Sequence, residues 1–363
     1  MIAVLTSGMS LGHYTPALIL ARRLERAGLP VRTYVHEDLL PERSRGGIGR
    51  AKRAYHGSFR FALMAQKVGT GITSEPDPER VKRLFAGWSA AGVRRFVVMS
   101  GYWVGLVGDF AREHAGGPLD VELLHVDSGN SPSWAAAGEA DMGRHVWLCS
   151  AAERRVAHAL PTGLEVVPFA AREPRLVVHG GGWGIGSYRE FLAEGLERGF
   201  ACDVRRYYED DELPAHERIR ELFQPEEWEP WDVDADGRHR FPAISVRSGG
   251  EVRPVAAGAD HHDMLELVRG AVAVVSKPGG ATLLDSFETA TPVVFLAPYG
   301  AHEAENQGLW EHLGFGISLE AWRATGFSLE ALETLHMNLL AARRGVPSYP
   351  ELYAARVRGE GGA

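Results

Sequence analysis

Short β-branched runs alternate with amphipathic helical patterns along this chain, and the alternation starts twice. Ile2–Thr6 is an apolar run of strand length, and residues 15–26 follow it with Leu18, Leu20, Ala21 and Leu24 near helical spacing and Gly28 as a stop. Further strands are expected at 31–36, 95–99, 121–126 and 146–149, with helices between them, for example at 79–91. Repeated strand–helix–strand units build a parallel sheet covered by helices on both faces. Residues 164–174, bounded by Pro161, Pro168 and Pro174, read as a linker. The pattern then restarts with a strand at 175–178, a glycine-rich turn, a helix at 187–198 and strands at 202–207, 272–276 and 293–296. The prediction is an α/β chain of two doubly wound, Rossmann-like domains, 1–163 and 175–345, with a tail at 346–363 that packs back on the first. Two such domains in tandem face a cleft at the C-terminal ends of their strands, where ligands bind.

A chain of 363 residues with 45% hydrophobic and 24% charged residues can fill two ordinary cores. The formal net charge of -8 argues against a nucleic-acid partner held by phosphate contacts. The two cysteines, Cys149 and Cys202, lie in apolar runs and read as buried free thiols of a reducing compartment. The first residues carry no basic leader or signal-peptide core, and no run reaches the roughly 18 to 20 apolar residues that span a bilayer. The expected location is the cytoplasm.

Two segments break the alternation. Residues 43–74 hold no acid but carry Arg43, Arg45, Arg50, Lys52, Arg53, Arg60 and Lys67 among Tyr55, Phe59 and Phe61. Residues 209–236 hold twelve carboxylates against Arg218 and Arg220. Both read as insertions, either solvated surface loops or surfaces that choose a partner. The basic segment suits a phosphate-bearing ligand or an anionic membrane face, and the acidic one an amine-bearing ligand.

Glycine-rich turns follow the first strand of each half. Residues 7–13, Ser-Gly-Met-Ser-Leu-Gly-His, lead into the first helix, and 180–187, Gly-Gly-Gly-Trp-Gly-Ile-Gly-Ser, open the second half. Such turns either simply reverse the chain or let backbone N–H groups approach an anion or a sugar. Neither is a G-x-G-x-x-G dinucleotide fingerprint, and Glu37 and Asp38 are weak stand-ins for its acidic residue. The second turn also lacks the Lys-Ser/Thr ending of a nucleoside-triphosphate loop.

The most informative stretch runs Ser276-Lys277-Pro278-Gly279-Gly280-Ala281-Thr282-Leu283-Leu284-Asp285, followed by a strand containing Pro292-Val293-Val294 and then by Pro298 and Glu305-Asn306-Gln307. A helix starting near Ala281 leaves the N–H groups of Gly280, Ala281 and Thr282 free for a diphosphate. Asp285, one turn on, can accept two hydrogen bonds from a ribose diol.

This arrangement resembles the donor site of GT-B glycosyltransferases. It is most similar to the bacterial peptidoglycan N-acetylglucosaminyltransferase and related natural-product enzymes. The first glycine loop ending in Gly12-His13, Ser100-Gly101-Tyr102-Trp103, the stretch His125 through Asn130 and the 180–187 turn resemble family motifs in the same order. Asp285 stands where the family has glutamate, Lys277 where it has arginine or histidine, and Trp310 where an asparagine is common.

The resemblance implies an inverting transfer of a sugar from a nucleoside diphosphate sugar, UDP-linked by preference. The acceptor would be a hydroxyl or amine, on a small molecule or a lipid-linked one, in cell-envelope or natural-product biosynthesis. It implies no cofactor and no metal, and a place in the cytoplasm or at the inner membrane face. His13 would be the general base, oriented by Asp127 or Asp109, with Asp127 favoured; otherwise His13 caps the first helix. Gly12, Gly182, Trp183, Gly184, Met264, Lys277, Gly279, Gly280, Ala281, Thr282, Asp285, Glu305, Asn306 and Gln307 would surround the nucleotide sugar. The run Asp260-His261-His262-Asp263 reads as a helix cap and first-turn charge, since four successive residues do not face one ion. A nucleotide-sugar epimerase or hydrolase, and an inert subunit of the same fold, are the alternatives.

Overall fold

A computed structural model of the chain describes residues 1–9, 11–68, 75–114, 116–138, 142–256 and 258–360. Residues 69–74 of the basic segment lie outside that set.

The first sheet contains β1 (Ile2–Thr6), β2 (Val31–Val35), β3 (Arg95–Val98), β4 (Asp120–His125) and β5 (Arg144–Trp147), in the order β2-β1-β3-β4-β5. Every pairing is parallel. β1 is central and wholly buried, which is why it reads as an uninterrupted apolar run. Around the sheet lie α1 (Leu11–Arg26), α2 (Glu42–Gly57), α3 (Phe59–Val68), α4 (Pro78–Ala90), α5 (Val104–Glu113) and α6 (Pro132–Ala137). A short antiparallel ribbon, β6 (Cys149–Ser150) with β7 (Arg155–Val156), follows.

The second sheet has eight strands: β8 (Glu173–His179), β9 (Ala201–Arg205), β10 (Ile219–Phe223), β11 (Ser245–Ser248), β12 (Glu251–Pro254), β13 (Ala271–Ser276), β14 (Val293–Phe295) and β15 (Gly316–Ser318). Their order is β12-β11-β10-β9-β8-β13-β14-β15. Only the β10-β11-β12 edge is antiparallel. The helices here are α7 (Tyr188–Glu197), α8 (Asp263–Gly270), α9 (Gly280–Thr289), α10 (Ala301–Leu313), α11 (Leu319–Ala324), α12 (Leu329–Arg343) and α13 (Tyr349–Glu360).

Several expectations need correction. α1 begins at Leu11 rather than at residue 15, so His13 sits in the first helical turn. The misleading signal was Pro16, which lies inside the helix and cannot donate to the carbonyl four residues back. Residues 43–68 are not loops but α2 and α3. Four glycines in α2 hide its helical character. Docking of its buried Ile48 and His56 supplies what propensity lacks. The acidic segment is not all loop either, since it contains β10. The antiparallel edge strands gave little sequence signal because β12 is exposed throughout and shows no buried face.

The two halves share one core. A single apolar cluster takes Leu20 and Leu24 from α1, Leu283 and Phe287 from α9, Trp310 from α10 and Tyr353 from α13. Helix α13 packs against α1. Its Tyr349 hydroxyl donates to Glu122 of β4 at 2.7 Å, and Arg356 pairs with Asp120 at 3.0 Å. Both cysteines are free and buried. Among the described residues no helix is long and apolar enough to cross a membrane.

The segment between the halves is anchored by Arg172. Its buried guanidinium donates to the carbonyls of Val167, Ala271 and Thr289 and to the Thr291 hydroxyl, at 2.7 to 3.0 Å. Arg172→Ala takes the side-chain donor from three carbonyls, while the Thr291 hydroxyl keeps its bonds to Thr289 and Val268, and each orphaned buried group costs roughly 1 to 3 kcal/mol. The expected loss is at least about 3 kcal/mol, read as a fall in the urea midpoint with an unchanged slope.

Candidate functional site

A cleft of about 490 Å³ opens where the C-terminal ends of the two sheets face each other. From the first half it is lined by Ser7, Met9, Gly12 and His13 after β1, Tyr102 after β3, and Asp127 and Ser133 after β4. From the second half come Gly181, Gly182 and Trp183 after β8, Tyr207 after β9, Lys277, Gly279, Gly280, Ala281, Thr282 and Asp285 after β13, and Glu303 after β14.

The best-formed part is the start of α9. Gly279 precedes the helix with extended backbone, and the first intrahelical bond runs from Leu283 N to Gly279 O at 3.2 Å. The N–H groups of Gly280, Ala281 and Thr282 therefore have no partner within the helix, and the helix end carries partial positive charge. Asp127 arrives here from the other half. A Cβ on Gly280 would stand 2.6 Å from Asp127 Oδ1, so only glycine admits this approach.

Asp127 is held by Asn306. This buried amide donates to Asp127 Oδ1 and to the Pro278 carbonyl, both at 2.9 Å, and accepts from the N–H and hydroxyl of Ser128, both at 2.8 Å. Asp127 Oδ2 then lies 3.8 Å from His13 Nε2, a buried atom without a hydrogen-bond partner. Burial lowers the His13 pKa below the ordinary histidine value, and the Asp127 charge opposes that shift. Asp109, the other orienting candidate, is distant from this arrangement: it is exposed on α5 and pairs with Arg112.

The first glycine loop is not an anion site. The buried Glu37 carboxylate takes the Ser7 hydroxyl and Gly8 N–H at 2.6 Å and the Met9 N–H at 3.1 Å, so those donors are already used. The second glycine turn packs directly on this loop: the Trp183 indole donates to the Met9 carbonyl, and a Cβ on Gly182 would stand 2.9 Å from Leu11 N. Tyr207 pins the same turn, its hydroxyl accepting from Gly180 N–H at 3.1 Å and donating to the Gly181 carbonyl at 2.5 Å.

Of the residues singled out by sequence, Gly12, His13, Asp127, Gly182, Trp183, Met264, Lys277, Gly279, Gly280, Ala281, Thr282 and Asp285 line the cleft. Gly184, Glu305, Asn306 and Gln307 do not. Gly184 gives its carbonyl to His56. Glu305 is an exposed residue that stands over Gly129. Gln307 donates to Glu311 at 3.0 Å on the outside of α10. The acid of α10 that faces the cleft is Glu303, which pairs with Lys277 and accepts from Tyr299 N–H at 2.7 Å. Trp310 is core, with its indole directed at Ser286.

The quartet 260–263 disperses. Asp260 pairs with Arg26, His261 with Glu266 at 2.9 Å, and Asp263 accepts from Ile244 N–H at 2.6 Å. His262 precedes α8 without any side-chain cap from Asp260, so the expected Asp260 cap is absent. Instead, buried His262 meets Asp285 at 3.0 Å on the cleft wall. Burial opposes its charge, but Asp285 and Asp263 hold its pKa above the ordinary value. No group of three or more metal-ligating side chains is gathered among the described residues.

Sequence reasoning passed over His56, His179, Arg205 and Tyr207. His179 and Arg205 end central parallel strands, a position that itself marks ligand-facing residues. His56 carried no such signal. It ties the two irregular segments together: Nε2 meets Asp211 at 2.5 Å, Nδ1 meets the Gly184 carbonyl at 3.0 Å, and nearby Lys52 pairs with Glu229 at 3.3 Å. The basic and acidic segments thus meet through paired charges, Arg53 with Asp210 among them.

No protein-family profile matches the chain, and no curated protein sequence matches it. Solved structures do. The glycosyltransferase VinC in complex with dTDP is 12% identical, aligns over 98% of each chain and gives a TM-score of 0.54. The spinosyn rhamnosyltransferase SpnG is 13% identical over 100% of each chain, at 0.52. MurG of Acinetobacter baumannii is 13% identical over 99% of each chain, at 0.50. The fold is GT-B. The likeness spans both halves, so the cleft described here is the interdomain cleft of that fold.

The His56–Asp211 tie makes a pH prediction. Burial raises the Asp211 pKa, but the His56 contact and the Tyr207 and Tyr208 N–H groups outweigh it and hold the carboxyl down to about 2. A depressed carboxyl pKa stabilises above its unfolded value and loses that contribution as pH falls through the folded one. Asp211→Asn should therefore lower the urea midpoint clearly at pH 6 and progressively less toward pH 3. An equal penalty at both pH values would exclude a stabilising Asp211 carboxylate.

Proposed function

We propose that the protein is an inverting glycosyltransferase using a nucleoside diphosphate sugar. The observation that carries this reading is the open N-terminus of α9 in one half, set against His13 and Asp127 of the other. The diphosphate lies on the N–H groups of Gly280, Ala281 and Thr282, and the ribose diol on Asp285, which His262 orients. His13 takes the acceptor proton as the acceptor oxygen or nitrogen bonds to the anomeric carbon. The bond from that carbon to the phosphate oxygen breaks on the opposite face, and the departing charge meets the helix end. Asp127 stabilises the imidazolium so formed.

Lys277 is spent on Glu303 and holds that wall rather than the ligand. The acceptor half of the cleft is walled by Met9, Tyr55, Tyr102, Pro132 and Ala136, which favours a flat or apolar molecule bearing the nucleophile. A uridine or thymidine nucleotide is preferred, the former from sequence resemblance and the latter because VinC binds dTDP. The same reading places the enzyme in the cytoplasm, in natural-product or cell-envelope biosynthesis.

A thermal-shift panel of uridine, thymidine, guanosine and cytidine diphosphates tests the donor site, because a ligand of the native state raises apparent stability as ln(1 + [L]/Kd). At least one should shift the wild type, and Asp285→Asn should reduce that shift. No shift with any of the four would refute the reading.

Kinetics test His13. A base must be neutral to act, so kcat/KM should fall on the acid side with an apparent pKa below the ordinary histidine value. Asp127→Asn removes the charge that raises that pKa and should move the acid limb lower still. His13→Ala should cost about 10²- to 10⁴-fold in kcat; unchanged turnover and pH profile would remove it from the mechanism.

A further inference from the structure

Arg205 closes β9 and lines the cleft, yet the residue is only 5% exposed. Its surroundings are neutral. One terminal nitrogen donates to the Gln224 amide oxygen, and the guanidinium lies 5.3 Å from the Tyr207 ring centre. Its Nε is buried with no hydrogen-bond partner. His179, on the neighbouring strand, is held neutral by burial with its pKa down to about 3. Among the described residues no carboxylate forms an ion pair with Arg205, whereas Lys277, the other cation of this wall, is paired with Glu303. An uncompensated buried charge is costly, and proteins rarely retain one without a counter-charge.

We propose that Arg205 is the anion-selecting residue of the second half-site, with its counter-charge delivered by a phosphate oxygen of the bound nucleotide. This rests on the donor reading above and deepens it by assigning the charge recognition to Arg205 rather than to Lys277. A planar guanidinium with a free N–H suits a phosphate, and its low exposure makes the contact strong once water is excluded.

The proposal has a signature that a structural arginine lacks. Arg205→Gln removes an unpaired charge, so the free protein should keep or raise its Tm. At the same time it should lose binding energy for the anion. The test titrates a nucleoside, its monophosphate and its diphosphate, uridine and thymidine in parallel, against wild type, Arg205→Gln and Arg205→Lys. In wild type, affinity should rise steeply once phosphate is present. In Arg205→Gln that rise should shrink by at least about tenfold, with nucleoside binding unchanged, and Arg205→Lys should restore part of it. Wild type that gains affinity with phosphate while Arg205→Gln gains equally overturns the assignment. So does a lowered Tm of free Arg205→Gln with an intact phosphate increment. Wild type that binds none of the nucleotides overturns the donor reading, and the Arg205 assignment with it.

Discussion

The site depends on one buried amide. Asn306 reaches from α10 to the Pro278 carbonyl in its own half and to Asp127 and Ser128 in the other. All of its hydrogen bonds to these groups are made in the interior, where a missing partner costs most. The result is that the β4 loop is fixed against the start of α9 to within the radius of a missing Cβ at Gly280. The position of Asp127, and through it the distance to His13, follows from that contact.

Charge placement around the cleft has a consistent logic. Most ionisable groups near it are matched in pairs: Glu37 by the first-loop donors, Lys277 by Glu303, His262 by Asp285 and His56 by Asp211. Among the described residues, the donor-rich end of α9 and the Arg205 guanidinium have no such counter-charge, and both lie on the second half of the cleft. The polarity of the site is therefore set by what the protein leaves unsatisfied, and it favours a negative ligand on that side. The His13 imidazole faces it from the first half, kept neutral by burial.

The parallel sheets were legible because buried strands such as β1 and β13 carry a nearly unbroken apolar run, and α9 was legible because Pro278-Gly279-Gly280 announces a helix start. The cleft-lining glycines and Asp285 followed from the same punctuation. What failed did so for physical reasons. Helix α2 is glycine-rich and stable only against its neighbours, and β12 has no buried face. On α10 each step turns about 100°, so Glu305 and Gln307, one residue either side of Asn306, are turned away from the site that Asn306 supports. The pairing of the basic with the acidic segment spans more than 150 residues, and only the folded chain brings His56 to Asp211.

The most direct measurement is a crystal structure with a uridine or thymidine diphosphate at saturating concentration. The account predicts the diphosphate on the backbone N–H groups of Gly280, Ala281 and Thr282, with the ribose hydroxyls on Asp285 and the β-phosphate open toward His13. A cleft without nucleotide under those conditions, or a nucleotide bound away from the start of α9, would contradict it.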